Sequence, residues 1–362
     1  MISGEPGGGM GTEVALPPRI RGVVTFGASL LLVAISIALL VPRLRNWPLS
    51  PDFTMLWAGA RFAVTRPHAT YDVAAVTAAQ MSLRPPVGPL PFPYPPSALS
   101  LMAPFGLLPF WPAFWLWTLL SVAAFWTAAR RITSHLPLVF AAPQMVLAIV
   151  LGQTTLWIGA LLIWAVTLLR PRPFVAGLLF GVVAAIKPQF AVMIPVAIIA
   201  GRHWRAIVGG LAGSGAMLLL SLPFGLFLWA DWIHMIGKHP AIVSGYGLDI
   251  LGASPMLALK VLGLPLYLHA LFVLLAIGLV WRAFTAGDVK KRVLVLLAAT
   301  LLASPYSIRY EVAMLAPSLV EALFAGTATG LLVALPLYCL NVLTIVPALV
   351  VSTAAAVFVR SK

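Results

Sequence analysis

Long apolar runs, separated by short polar segments, occupy most of this 362-residue chain. The first run, residues 22–41, has about 20 residues, which is enough to cross a hydrocarbon core of roughly 30 Å and exceeds the apolar region of a signal peptide. No small-residue cleavage site follows it, so we expect an uncleaved signal anchor with a cytoplasmic N-terminus. Further spans, making about 10–12 in all, are predicted at roughly 112–129, 137–152, 154–169, 174–200, 206–222, 265–281, 293–304, 311–325 and 327–358.

Two segments, residues 42–96 and 223–265, do not have the character of membrane spans. In the first, residues 52–64 and 71–81 predict short helices with aromatic and apolar faces. Such faces suit helices that lie at the membrane interface.

A proline-rich segment, residues 85–96, follows these two predicted helices. Pro96 is expected to open a helix of about 12 residues, because proline favours the first helical turn. This helix ends near Pro109 and is too short to span, so we expect it to lie along the membrane surface.

Composition agrees with a membrane protein. Hydrophobic residues make up 61% of the chain and charged residues only 9%, which is too little polar surface to cover a soluble globule of this size. The net charge of +14 does not indicate nucleic acid, because the basic residues occur as pairs and singles between apolar runs. The single cysteine, Cys339, excludes an intrachain disulfide and a cysteine metal site.

The basic residues predict the orientation, since cytoplasmic loops hold the excess of Lys and Arg. The topology places residues 42–111 and 223–264 outside as the two large loops. Residues 1–18 become a disordered cytoplasmic tail, and residues 19–362 form a single domain in the inner (plasma) membrane. The cytoplasmic set, 14 of the 23 basic residues, is Arg19, Arg21, Arg130, Arg131, Arg170, Arg172, Arg202, Arg205, Arg282, Lys290, Lys291, Arg292, Arg360 and Lys362.

The run at 174–200 is flanked on both sides by arginine pairs that look cytoplasmic. An even number of crossings must then lie between the pairs, and Lys187-Pro188 is the expected break, because proline removes a helical hydrogen bond. Each arm has about 13 residues, or about 20 Å, which is short of a full crossing. The pattern predicts a short hairpin with Lys187 recessed below the outer surface; one kinked span is the alternative.

The sequence contains no Walker-type phosphate loop, no nucleophile elbow and no zinc-spaced histidines. Any chemistry must therefore come from the outer side. Asp52 starts the first predicted helix there, and its carboxylate suits either an N-cap or a general base that takes a proton from an attacking hydroxyl. Five of the nine acidic residues are predicted outside: Asp52, Asp72, Asp231, Asp249 and Glu311.

Several short motifs occur in a distinctive order along the chain. They are Asp52-Phe53 after the first span, His68-Ala69-Thr70-Tyr71-Asp72, Phe92-Pro93-Tyr94-Pro95-Pro96, Pro104 with Leu108-Pro109 before a Trp-rich span, Gly152-Gln153 opening a span, Lys187-Pro188, and Arg202-His203-Trp204-Arg205. Their order and their places in the topology resemble glycosyltransferase family 87 over roughly residues 20–320.

That family belongs to the GT-C superfamily, whose members take a sugar from a polyprenyl phosphate and act on the outer membrane face. The resemblance implies an all-α transmembrane helical bundle of GT-C type, with Asp52 at the position of the catalytic base. It also implies a hexosyltransferase that inverts, with mannose as the expected sugar and a lipid or glycan as the acceptor. We expect no cofactor, and no metal because no second acidic residue stands beside Asp52.

Cations are needed to stabilise the departing phosphate. The outer-side candidates are Lys187, Arg309, Lys238 and His239, and each has an alternative role. Lys187 can snorkel to the surface, Lys238 and His239 can simply be solvated, and Arg309 can pair with Glu311 or an anionic lipid. Lys187 ranks first, because an unpaired ammonium is costly at its inferred depth.

Further candidates for sugar binding are Tyr94, Gln153 and Gln189. Tyr94 can line the sugar site, or the Tyr-Pro-Pro sequence can merely stiffen the chain before the next helix. The two glutamines can bond sugar hydroxyls or only satisfy helix ends. The tryptophans of the span near 112–129 are expected to serve as interface anchors and packing.

Two other functions compete with the glycosyltransferase. A transporter or flippase for a lipid-linked substrate would show repeated halves and ionisable residues at the midplane, for which Lys187 is the only strong candidate here. A non-enzymatic assembly partner would need no Asp52.

Overall fold

The structure, a computed structural model of the chain, describes residues 51–83, 90–245 and 252–324, and six separate positions between 23 and 38. The regular elements in these ranges are helices, which confirms the all-α membrane bundle. The predicted tail 1–18, most of the first run 22–41, Asp249, and the last run with Cys339 lie outside the described residues. In chain order the α-helices are α1 Pro51–Thr65, α2 Val73–Leu83, α3 Pro96–Gly106, α4 Phe110–Ala129, α5 Leu136–Ala141, α6 Pro143–Leu151, α7 Thr155–Leu168, α8 Pro173–Ile186, α9 Ile194–Ala200, α10 Trp204–Ser221, α11 Phe227–Gly245, α12 Pro255–Val261, α13 His269–Ala286, α14 Val289–Ala303 and α15 Ala316–Phe324.

Single 3-10 turns or short 3-10 helices connect several of these α-helices. They lie at Pro67–Ala69, Pro188–Phe190, Leu222–Phe224, Leu266–Leu268 and Arg309–Leu315.

The helices of the first outer segment occur where the sequence predicts them. The helices α1 and α2 correspond to the predictions at 52–64 and 71–81, and α3 begins at Pro96 as expected. Eight of the eleven residues of α3 are buried in close contact with other helices, and its expected position along the membrane surface stays a prediction. Gly106 permits this close contact, since a Cβ placed there would lie 2.7 Å from the Ala60 carbonyl oxygen of α1.

Three helices are long and apolar enough to cross a membrane in the described part of the chain. They are α4, α10 with the 3-10 turn that follows it, and α13 with the 3-10 turn that precedes it. The pair α6–α7 adds a fourth if it is one broken span, although its two helices meet at 118°. The predicted count of 10–12 spans stays a prediction, since two of the runs on which it depends lie mostly or wholly outside the described residues.

The Trp-rich helix α4 separates its aromatic residues between two surfaces. Trp117 is 1% exposed and packs in the core, whereas Trp111, Trp115 and Trp126 are exposed. This division is what a helix with one face on protein and one on lipid requires.

The hairpin predicted at Lys187-Pro188 is confirmed. Helix α8 ends at Ile186, a 3-10 turn follows at Pro188–Phe190, and α9 runs back to Ala200. Arg170 before the hairpin and Arg202 after it line the same cavity, so both ends lie at the same end of the bundle. A single kinked span would have separated them.

Glycines bring α8 and α10 into close contact. A Cβ placed on Gly177 would lie 2.8 Å from the Gly210 nitrogen, and one on Gly181 would lie 2.6 Å from the Ser214 nitrogen. Pairs of small residues four positions apart let two membrane helices approach through their backbones. This contact holds the hairpin against the long helix α10.

The two segments that are predicted to form large outer loops touch each other. The indole nitrogen of Trp232 on α11 donates a hydrogen bond to the Pro93 carbonyl at 3.1 Å. His68 stacks on Phe227 with ring centroids 4.0 Å apart. These contacts bring α11 over the chain that leads into α3.

Candidate active site

The candidate site forms where several helices begin or end. Asp52 lies in the first turn of α1, Gln153 lies at the corner between α6 and α7, and Lys187 lies at the tip of the α8–α9 hairpin. Glu311 comes from the 3-10 helix Arg309–Leu315, and Tyr94 precedes α3. Residues far apart in sequence thus supply one polar cluster inside an apolar bundle.

Asp52 is half-buried, and its carboxylate Oδ2 accepts a hydrogen bond from the Gln153 side-chain amide. Because α1 begins at Pro51, Asp52 lies inside the first turn rather than at the N-cap. Burial raises the pKa of Asp52 to about 6, an effect that Glu311 reinforces, while the Gln153 hydrogen bond and the Lys187 charge oppose it. A carboxylate with this pKa is mostly ionised at neutral pH and is a competent proton acceptor.

Gln153 is fixed by the corner on which it lies. Gly152 adopts a left-handed conformation with φ of 65°, and a Cβ there would lie 2.7 Å from the Phe53 Cβ. The sharp turn lets Gln153 face Asp52. The Gln153 side-chain carbonyl is buried and has no hydrogen-bond partner among the described residues, so an acceptor remains open for a ligand hydroxyl.

Lys187 is 7% exposed, and its ammonium pairs with Glu311 Oε1. The other carboxylate oxygen of Glu311 accepts the Ile308 backbone N–H at 2.9 Å. The Lys187 nitrogen also lies 4.7 Å from the Phe190 ring centroid and 5.9 Å from that of Tyr94. Lys187 does not snorkel to the surface, because its ammonium is buried and a carboxylate neutralises it, and its role toward the donor phosphate stays a prediction.

Tyr94 both stiffens its segment and lines the cluster. Its hydroxyl shares a hydrogen bond of 2.8 Å with the Thr154 hydroxyl. Its carbonyl accepts a hydrogen bond of 2.7 Å from the Tyr71 hydroxyl. These bonds support the stiffening role, while the role of Tyr94 in lining a sugar site stays a prediction.

The remaining sequence candidates are less closely associated with Asp52. Arg309 is half-buried on the same 3-10 helix as Glu311, and Gln189 is half-buried in the hairpin turn. Lys238 is exposed on α11, and His239 packs edge-on against Tyr306 with centroids 5.5 Å apart. Burial lowers the pKa of His239, so it stays neutral at neutral pH.

Sequence reasoning missed the partner of Glu311 and the proximity of Tyr310 to the cluster. It offered Glu311 only as a partner for Arg309, whereas the carboxylate binds Lys187 and acts electrostatically on Asp52. Tyr310 lies within electrostatic reach of Asp52, Glu311 and Tyr94. The available signal was an acidic residue at the start of a predicted span, which marks a functional site by default.

Metal binding has no obvious ligand set in the described ranges. No three His, Cys, Asp or Glu side chains gather there into a group that could hold a metal ion. The expectation of a metal-independent site stays a prediction.

Comparison with known proteins gives a family and two kinds of relative. The family model described as Glycosyltransferase family 87 matches residues 92–305, more than half of the chain. An alpha-(1->3)-arabinofuranosyltransferase of Mycobacterium tuberculosis is 28% identical over 219 residues, covering 54% of this chain and 49% of the relative. A polyprenol-phosphate-mannose-dependent alpha-(1-2)-phosphatidylinositol pentamannoside mannosyltransferase from the same species is 29% identical over 255 residues, covering 64% and 58%.

The chain spans about half the length of the curated relatives it matches. No solved structure matches it. The family match includes Tyr94, Gln153 and Lys187, whereas Asp52 and Glu311 lie outside the matched residues.

Proposed function

Because this chain belongs to glycosyltransferase family 87, we propose that it is a membrane glycosyltransferase that moves one sugar from a polyprenyl phosphate to a lipid or glycan acceptor. The observation that carries the proposal is the half-buried carboxylate of Asp52. It is held by Gln153 and faces a cluster that contains Lys187, Glu311 and Tyr94. The reaction takes place on the outer face of the inner membrane. The distribution of basic residues among the loops predicts that Asp52 lies on this face.

Asp52 is the general base of the transfer. Its carboxylate takes the proton of the acceptor hydroxyl as that oxygen bonds to the anomeric carbon of the donor. The bond between the anomeric carbon and the phosphate oxygen breaks, and its electron pair leaves with the polyprenyl phosphate. Attack opposite the leaving group inverts the anomeric centre.

Lys187 acts mainly by setting the charge of the site. Its ammonium favours the ionised form of Asp52 electrostatically while it pairs with Glu311. We assign to Arg309 the larger part in binding the donor phosphate, since guanidinium groups match phosphate oxygens in a bidentate fashion. Lys187 contributes to the same positive potential.

Gln153 and Tyr94 orient the reacting groups. The Gln153 amide N–H fixes the Asp52 carboxylate, and its open carbonyl oxygen accepts a hydrogen bond from a sugar or acceptor hydroxyl. Tyr94 presents its ring to the site while two hydrogen bonds hold it. Such fixed groups lower the barrier by holding the reactants in a reactive geometry.

Mannose is the first donor sugar to test, because one relative is named as dependent on polyprenol-phosphate mannose. The other relative is named as an arabinofuranosyltransferase, so arabinofuranose is the second. Pocket shape, rather than any single motif, decides between them.

The test uses the purified full-length protein with polyprenyl-phosphate mannose, polyprenyl-phosphate arabinofuranose and a panel of lipid acceptors. We expect one donor to be consumed with release of polyprenyl phosphate and formation of a glycosylated acceptor. Liposomes that contain the protein and a lipid-linked sugar give the second arm. Movement of that lipid between leaflets without consumption of either donor would contradict the proposal and support a flippase.

A further inference from the structure

A cavity lies at the end of α8 opposite to Lys187. Its volume is about 360 Å³, and it is bordered by the loop before α8, the turn between α9 and α10, and the facing parts of α13 and α14. Helix α8 has 14 residues, which separates the cavity from the tip of the hairpin by about 21 Å. The cavity is therefore a different site from the Asp52 cluster.

Basic side chains dominate the lining of this cavity. It contains Arg170, Arg202, Arg292 and His203, and no acidic residue. Burial and the charges of Arg292 and Arg170 lower the pKa of His203, so both guanidinium groups act electrostatically on this imidazole. Asp288 acts on Arg292 from outside the lining, but its carboxylate also accepts the Lys291 backbone N–H at 2.9 Å and caps α14.

Arg292 is the most deeply placed of these cations. It is 5% exposed, and its Nη2 donates a hydrogen bond of 3.1 Å to the Phe284 carbonyl. Its Nε is buried and has no hydrogen-bond partner among the described residues. A buried guanidinium with an unused donor is costly unless a ligand accepts the bond.

Arg202 reaches the cavity from a strained backbone. Its φ is 56°, and it is the only non-glycine residue with positive φ in the described ranges. A bulky side chain is unfavourable in this left-handed region, and such strain is often kept at binding sites.

We propose that this cavity binds a phosphate group. Arg170 from the loop before α8, Arg202 from the turn between α9 and α10, and Arg292 from α14 donate hydrogen bonds to it. Guanidinium groups present paired N–H donors that match phosphate oxygens. The volume exceeds that of a phosphate alone, so the ligand carries its phosphate on a larger polar group.

Two sources supply such a ligand. The basic loops that form the cavity are those that the charge rule assigns to the cytoplasm. An anionic phospholipid of that leaflet can insert its headgroup from the side, and a soluble phosphate compound can enter from the cytoplasm. The cavity requires the same phosphate chemistry from both.

The test measures binding of inorganic pyrophosphate to the full-length protein in neutral detergent by calorimetry. Native mass spectrometry then compares retention of phosphatidylglycerol with that of phosphatidylcholine. The double variant Arg170→Gln/Arg202→Gln removes two exposed cavity arginines. Its matched control, Arg172→Gln/Arg205→Gln, removes two exposed arginines nearby, at the start of α8 and in the first turn of α10, that lie outside the lining.

We expect the cavity variant to weaken binding about 100-fold, roughly tenfold for each lost charged contact, while the control stays near wild type. Saturable pyrophosphate binding identifies a soluble ligand, and selective retention of phosphatidylglycerol alone identifies a headgroup. Equal loss in both double variants would overturn the proposal, and so would a wild-type protein that binds neither probe. The outcome does not depend on sugar transfer.

Discussion

At the scale of single residues, the Asp52 carboxylate is the group on which the proposed chemistry depends. Its half-buried position and its bond with Gln153 give it a defined orientation and a pKa of about 6. An exposed aspartate would be a weaker base, and a deeply buried one would hold its proton at neutral pH. Asp52 lies between these limits.

The first prediction concerns the pH dependence of transfer. Only the ionised form of Asp52 accepts a proton, so kcat/KM should be constant above pH 7 and fall about tenfold per pH unit below about 6. Steady-state rates measured from roughly pH 4.5 to 8, a range that brackets this transition, give the fall of kcat/KM on the acid side. A rate that rises as the pH falls through 6 would indicate that the protonated form is the active one.

Gln153 provides a second prediction at this scale. Gln153→Leu removes a donor that favours the carboxylate, so the acid limb should move upward by about one pH unit. Gln189→Leu is the control, because this half-buried residue lies in the hairpin turn and is not among the groups that shift the pKa of Asp52. If the Gln153 variant loses activity at the same pH as wild type, the Gln153 amide does not affect the ionisation of Asp52.

At the scale of elements, the Lys187–Glu311 pair joins the tip of the α8–α9 hairpin to the 3-10 helix Arg309–Leu315. Removing one member of a buried pair leaves an uncompensated charge, which costs about 3–5 kcal/mol. Replacing both members removes that penalty. The pair therefore fixes the hairpin more through the cost of breaking it than through net attraction.

A double-mutant cycle tests this view of the pair. Lys187→Met and Glu311→Leu should each lower the unfolding midpoint in detergent strongly, and the double variant should recover most of the loss. The coupling energy is obtained from chemical unfolding of the four proteins. Additive losses would show that the two side chains do not form a pair in solution.

The sequence located several of the helix ends that carry the site, but not the 3-10 helix Arg309–Leu315, which it predicted as part of a span at 311–325. The break at Lys187-Pro188 was predictable because proline cannot continue a helix, and the α3 start at Pro96 followed from the same chemistry. The partner of Lys187 was not predictable. Glu311 is 124 positions away, and only the packing of the 3-10 helix against the hairpin brings the two charges together.

The burial of α3 was also beyond the sequence. Its length excluded a membrane span, but a short apolar helix can be covered equally well by lipid or by protein. The close approach of α1 at Gly106 shows that protein covers α3, and that contact depends on the placement of α1. Local patterns thus predicted the elements, whereas long-range contacts determined their surroundings.

At the scale of the whole molecule, the bundle has two polar ends. One contains the Asp52 cluster at the hairpin tip, and the other contains the arginine-lined cavity where the hairpin begins and ends. Helix α8 connects them. This arrangement fits an enzyme whose reaction occurs at one membrane face and whose basic loops lie at the other.

Cysteine labelling tests that arrangement. In a Cys339→Ser background, Arg172→Cys and Arg205→Cys should react with an impermeant maleimide from the same side of oriented vesicles. Lys238→Cys, exposed on α11, should react from the opposite side. Reaction of the two arginine positions from different sides would require a single kinked span in place of the hairpin.

The most direct measurement of the central claim is the single-turnover rate of sugar transfer in Asp52→Asn, compared with Asp72→Asn. Asp72 is exposed in the same outer segment, and its carboxylate accepts the backbone N–H groups of Ala74 and Ala75. Loss of a general base should slow Asp52→Asn by about 100- to 10,000-fold with little change in donor binding, while Asp72→Asn stays near wild type. A wild-type transfer rate in Asp52→Asn would contradict the account.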